Sequence, residues 1–198
     1  MQIHRYWRIG NENPMLLAGV GMRKKNLYIL QVDVYLVGVS ASVDLLKKVR
    51  GMVNVNLADQ IRELVSSCDE GKQNVMASQD YCDLSITLKF QRQVSRQQIL
   101  LAFVEAFEGC SPAAISIFQN AIGDVIGSSD LNLNDELTFD FTRSGRLTIS
   151  KLNGSSSSVV NKEVFSRLLV VYLDSKKSVC PELVECINKQ LPKITSDL

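Results

Sequence analysis

The chain is 198 residues long, 45% hydrophobic and 22% charged, a composition that argues against disorder over most of its length. Its 22 basic and 21 acidic residues leave a formal charge of +1, so no field of one sign exists to draw in nucleic acid or an anionic membrane. Five scattered cysteines (Cys68, Cys82, Cys110, Cys180, Cys186) without CxxC spacing, and His4 as the sole imidazole, speak against a disulfide framework, a metal site or Ser-His-Asp chemistry.

No apolar run reaches the roughly 18 to 20 residues of a membrane-spanning helix, and the first residues lack the apolar stretch of a signal peptide. Free thiols imply a reducing compartment. A plastid or mitochondrial address would require that a targeting segment had been removed from a precursor, so localisation is not readable from this sequence.

In chain order, residues Ile3 to Ile9 alternate and predict a first strand, followed by a turn at Asn11 to Pro14. Met15 to Met22 and Leu27 to Val39 predict two further strands, with Lys24-Lys25-Asn26 as the polar break between them. The period then changes. Val43, Leu46 and Val49, then Leu57, Ile61, Leu64 and Val65, recur at helical spacing on either side of residues 51–56. Asp69 to Ser78 reads as a polar connection. Leu84, Ile86, Leu88 and Phe90 alternate with polar residues as in a half-buried strand.

Ser95 and Gln98 form a capping-box pattern ahead of a helix that Gly109 ends, and Ser111-Pro112 opens the next. Leu137, Phe139 and Phe141, a turn at Arg143-Ser144-Gly145, and Leu147, Ile149 and Leu152 predict a hairpin. Asn153 to Ser158 reads as a polar loop. Helices are predicted from about Lys162 to Leu173 and from Pro181 to Leu191. Strands in hairpins and helices in pairs predict an α+β fold: an antiparallel sheet of about six strands with a layer of helices on one face. No stretch has the length of an interdomain linker, so one domain is expected over residues 1–198, with its core at about 14–192.

Gly19-Val20-Gly21 begins like a dinucleotide fingerprint, but Lys24 stands where the third glycine belongs and a strand follows instead of a helix. Such glycines more often allow close backbone packing. By residue type alone, Arg23 reads more readily as a surface residue at a strand end, and Tyr35 as a core tyrosine with its hydroxyl at the rim.

The stretch Gly19-Val20-Gly21-Met22-Arg23, followed by Val34-Tyr35-Leu36-Val37-Gly38, resembles the N-terminal signature of the chalcone isomerase superfamily. The helix Ser95 to Phe107, the hairpin Leu137 to Asn153, and Val164 to Leu169 with Tyr172-Leu173-Asp174 resemble later parts of the same family in the same order. The family usually has glycine where this chain has Asp174. The resemblance implies a chalcone-isomerase-like open-faced β-sandwich. It also implies a choice of function, since some members close a chalcone ring and others hold a fatty acid.

Tyr35 matches the fatty-acid-binding branch, where the isomerases have threonine. Laid onto this chain, the tyrosine, lysine and asparagine of the isomerase pocket helix fall near Ser95, Gln98 and Ala102, and none of those side chains is kept. The resemblance therefore implies a non-catalytic site for a fatty acid or similar apolar carboxylate, with Arg23 and Tyr35 on the head group and Val37, Val39, Leu100, Phe103 and Phe107 as walls. Arginine suits that role because its planar fork matches a carboxylate. An intramolecular lyase acting on a phenolic ketone is the alternative, with Arg23 holding a phenolate. A scaffold whose pocket is filled by side chains and whose surface meets a protein partner is a third. No cofactor, no nucleic acid and no integral membrane segment are expected, and protein partners are not readable.

Overall fold

A computed structural model describes residues 14–27, 30–52, 55–67, 81–152, 154–196 and 198. Alternating or β-branched segments become strands β1 (Met15–Leu27) and β2 (Leu30–Ser42). Helices α1 (Val43–Val49) and α2 (Leu57–Ser66) follow, each capped by the side chain before it, Ser42 and Asn56. Strand β3 (Cys82–Phe90) leads to α3 (Arg96–Ala106) and α4 (Pro112–Ile126). The hairpin β4 (Glu136–Thr142) and β5 (Leu147–Lys151) is extended by β6 (Ser156–Val159). Helices α5 (Lys162–Leu173) and α6 (Pro181–Ser196) close the chain.

The six strands pair in chain order, β1 to β6, each antiparallel to the next. Two helix pairs, α1–α2 and α3–α4, are therefore inserted between neighbouring strands without changing the order of the sheet, and α5 and α6 follow its last strand. One face carries Val37, Val39, Leu84, Ile86, Leu88 and Phe139, all fully buried. Phe139 meets Phe103 of α3 and Phe141 meets Phe165 of α5 edge-on, with ring centroids 5.9 and 5.0 Å apart. The opposite face is rich in hydroxyls: Ser85 donates to Asp140 at 2.7 Å, and Thr87 meets Thr138 at 3.3 Å. This is the half-apolar alternation expected of an antiparallel sheet covered by helices on one side.

Three expectations are corrected. Lys24-Lys25-Asn26 do not break the strand but lie within β1, whose ladder with β2 runs on to the pair Leu27–Leu30. A continuous hairpin ladder satisfies the backbone there, and charged side chains at an exposed strand end cost little. The loop predicted over Asn153 to Ser158 contains β6, a serine-rich edge strand whose pairing with β5 comes from the neighbouring backbone and not from β propensity. The last helix continues past Leu191 and through Pro192 to Ser196, where the hydroxyl of Thr195 donates to the Leu191 carbonyl at 2.9 Å. The strand predicted over Ile3 to Ile9, the connection Asp69 to Ser78, and His4 and Cys68 lie outside the described residues.

Asp174, which stands where the resembled family has glycine, has a structural task here. It accepts from the backbone amides of Lys176 and Lys177 at 2.9 Å each and pairs with Arg62 of α2. The turn between α5 and α6 is thereby tied to α2.

Candidate ligand-binding site

The site begins with the two glycines of β1. A side chain at Gly19 would meet Ile187 of α6, with Cβ only 2.6 Å from Cγ1 of that residue. At Gly21 it would collide with the Leu183 backbone and come within 2.8 Å of the Cys180 sulfur. The bare backbone at 19 and 21 is what lets α6 lie directly on β1. Two residues further along the same face, where α6 has not yet begun, the side chain returns as Arg23. Its Nη1 donates to the carbonyl of Val179 at 2.8 Å.

Arg23 faces Tyr35 across the β1–β2 ladder. Immediately beyond that pair the register shifts, because Lys24 is opposite Asp33 and Val34 is left as an extra residue in β2. The bulge changes which side chains point inward. Strict alternation would put Asp33 on the Tyr35 face, whereas the structure has Val34 and Val32 lining the same cavity as Tyr35 while Asp33 is exposed. The Val34 carbonyl accepts from the amide of Gln91, which fixes the start of the β3–α3 connection against the bulge.

A cavity of about 220 Å³ opens between this end of the hairpin and α3. Its apolar walls include Val34 and Val32 from β2, Ile99 and Phe103 from α3, and Val171 from α5. Tyr172 adds its phenol from the end of α5, with its oxygen 3.4 Å from that of Tyr35. Burial pushes the Tyr172 phenol well above the ordinary tyrosine range, and the neighbouring Tyr35 adds to the effect. Burial likewise raises Tyr35, opposed in part by the Tyr172 hydroxyl and by the charge of Arg23. Both phenols are neutral at physiological pH and so remain hydrogen-bond donors as well as acceptors.

Among the described residues, no carboxylate lies within ion-pairing distance of Arg23. It donates to the Val179 carbonyl and lies against the Tyr35 hydroxyl, which leaves most of the five guanidinium donors unspent. The arrangement can therefore receive an anion at the end of an apolar slot, with a permanent cation and two neutral phenols around it. Among the described residues no group of histidines, cysteines and acids is placed to hold a metal.

Of the residues singled out in the sequence, Arg23, Tyr35 and Phe103 line this cavity. Val37 and Phe107 do not. Val37 is wholly buried in the sheet core, and Phe107 stacks on Phe118 with centroids 4.5 Å apart. Val39 is also core, and Leu100 packs against the core rather than into the cavity. Sequence reasoning missed Tyr172, whose signal was a phenol at the end of the apolar run Leu168 to Leu173. It also missed Val32 and Val34, which the bulge brings in, and Arg92, a loop residue without a local signal.

Neither a protein-family model nor a curated protein sequence matches the chain. Among solved structures it is similar to the crystal structure of an Arabidopsis thaliana fatty-acid binding protein, AtFAP1. The TM-score is 0.64 and the identity 22%, over 92% of this chain and 91% of that one. At that identity the likeness establishes the fold, and the chain has the chalcone-isomerase-like α+β arrangement that its N-terminal motifs resemble.

Proposed function

We propose that this protein binds a fatty acid or a similar apolar carboxylate, without catalysis, in the cleft between the β1–β2 hairpin and α3. The observation that carries the proposal is the acid-free guanidinium of Arg23 at an apolar cavity also lined by Tyr35 and Tyr172. A carboxylate there would take charge-assisted hydrogen bonds from Arg23, while each methylene buried along Ile99, Phe103 and Val171 contributes about 0.8 kcal/mol. The cavity of about 220 Å³ is small beside the roughly 300–1,000 Å³ of pockets for drug-sized ligands. That size favours a thin linear tail over a bulky ring system. The fold shared with a fatty-acid binding protein supports the same reading.

The wall of α3 supports binding over lyase chemistry. Gln98 spends its side-chain carbonyl on the amide of Ser95, and Ala102 offers a methyl. Gln98 keeps a neutral amide NH2 and Ala102 has no polar group, so this wall of α3 supplies neither a phenol nor an ammonium to polarise a ketone. Native mass spectrometry of the purified protein tests the proposal. Retained acyl ligand, or uptake of added acids of laurate to myristate length, is the expected result, and a protein that takes up neither would overturn it. Naringenin chalcone is expected to cyclise no faster with the protein than without it.

A further inference from the structure

Three cations, not one, surround the cavity. Arg23 and Lys25 come from alternate positions of β1, and Arg92 comes from the connection between β3 and α3. Their convergence is fixed by the backbone. Phe90 pairs with Tyr35 in the β2–β3 ladder, and the amide of Gln91 donates to Val34 at 3.0 Å, so Arg92 must emerge beside the bulge. Lys25 is paired with Val32 on the far side of the same bulge.

Among the described residues, none of the three has a carboxylate within ion-pairing distance. The contrast with Lys24 is instructive: that ammonium binds Glu182 at 2.6 Å and takes no part in the lining. Glu105, exposed on α3, is the one acid among the lining residues. Like charges gathered at the mouth of an apolar slot repel one another, and an anion bound among them relieves the repulsion. Three cations against one carboxylate leave two positive charges. A monocarboxylate removes one of them, and a dianion removes both.

We infer that the ligand preferred at this site is an amphiphile whose head group carries two negative charges, such as an alkyl phosphate monoester or a tail bearing two carboxylates. The inference rests on the proposed function and specifies the ligand class of that same site. Arg23 takes the inner oxygen atoms of the head, while Lys25 and Arg92 close on the outer ones from the two sides of the bulge.

The test compares dodecyl phosphate with dodecanoate by isothermal titration calorimetry, both below their micelle concentrations. At about pH 8 the phosphate is a dianion, since its second pKa is about 6. Dodecyl phosphate is expected to bind about tenfold tighter at low salt, equivalent to about 1.4 kcal/mol, with the preference shrinking as salt screens the exposed charges. In the Lys25→Gln/Arg92→Gln double variant the ratio of the two affinities should collapse toward one. Thermal melting of that variant checks that it is folded, and decylmalonate, which carries two carboxylates at the head of one tail, separates charge from phosphate shape. Equal affinity of the native protein for dodecanoate and dodecyl phosphate, or an undiminished ratio in the double variant, would overturn the inference while leaving the carboxylate-binding proposal intact. Failure of both ligands to bind would overturn the two together.

Discussion

Arg23 on β1 donates to the carbonyl of Val179, 156 residues further along the chain, at 2.8 Å. One hydrogen bond thus connects the first hairpin to the segment that introduces α6, and it aims the guanidinium across the cavity mouth. If Arg23 anchors the head group, Arg23→Ala should weaken binding of a medium-chain carboxylate by about 2 kcal/mol, roughly thirtyfold. Lys25→Ala, which removes an exposed charge, should weaken the same ligand by about threefold or less. Calorimetric titration of both variants with dodecanoate decides the matter, and similar losses would remove Arg23 from the anchor role.

The glycines of β1 make a prediction about stability. Gly21→Ala would drive a methyl into the Leu183 backbone and the Cys180 sulfur. Backbone cannot swing aside as a flexible side chain can, so α6 must shift, at a cost of about 1–3 kcal/mol. Gly38→Ala in β2 is the control, because its new methyl would meet only Leu17 Cδ1 at 3.8 Å. Urea denaturation should show a large loss for the first and almost none for the second.

Alkaline pH should expose the phenol pair. Burial raises the native pKa of Tyr172 well above that of an unfolded tyrosine, which is about 10. A group with a raised native pKa contributes stability that is fully present below the unfolded value and is lost as pH climbs through the native one. The native protein should therefore lose melting temperature above about pH 10. Tyr172→Phe, which cannot ionise, should lose less over the same range. Parallel alkaline slopes for the two proteins would show that this phenol is not the titrating group.

At the acid end the informative residue is Asp174. Burial pushes its carboxyl up, but the amides of Lys176 and Lys177 and the charge of Arg62 outweigh burial and hold it below the usual aspartate range. Its contribution is present above about pH 4 and disappears as pH falls through the depressed native value. Asp174→Ala should cost about 1–3 kcal/mol at neutral pH. The gap between variant and native protein in denaturant titrations should narrow as pH falls below about 4 and on through the depressed native value, where the native carboxyl itself takes up a proton.

Much of the architecture was legible because its causes are short-range. The capping box of Ser95 and Gln98, the Ser111-Pro112 start of α4 and the alternation of Leu84 to Phe90 each depend on residues within a few positions, and each became the expected element. The glycine pair was also readable as a place of close approach, although what approaches it, α6, was not. Where pairing with a neighbouring strand decided the outcome, local reading failed. The polar run at Lys24 stayed in its strand, and the serines of β6 joined the sheet.

By itself, the order of residues determined an antiparallel sheet under helices, and its resemblance to a known family put forward Arg23 and Tyr35 as candidates. Which side chains share the cavity was decided only by tertiary structure. A single extra residue at Val34 turns Val32 inward and Asp33 outward, and the path after Phe90 brings Arg92 to the rim. Tyr172 stands 137 positions from the phenol it meets. Periodicity and capping act over one or two turns of chain, whereas a cavity is enclosed by segments that come together only when the sheet has formed and the helices have packed on it.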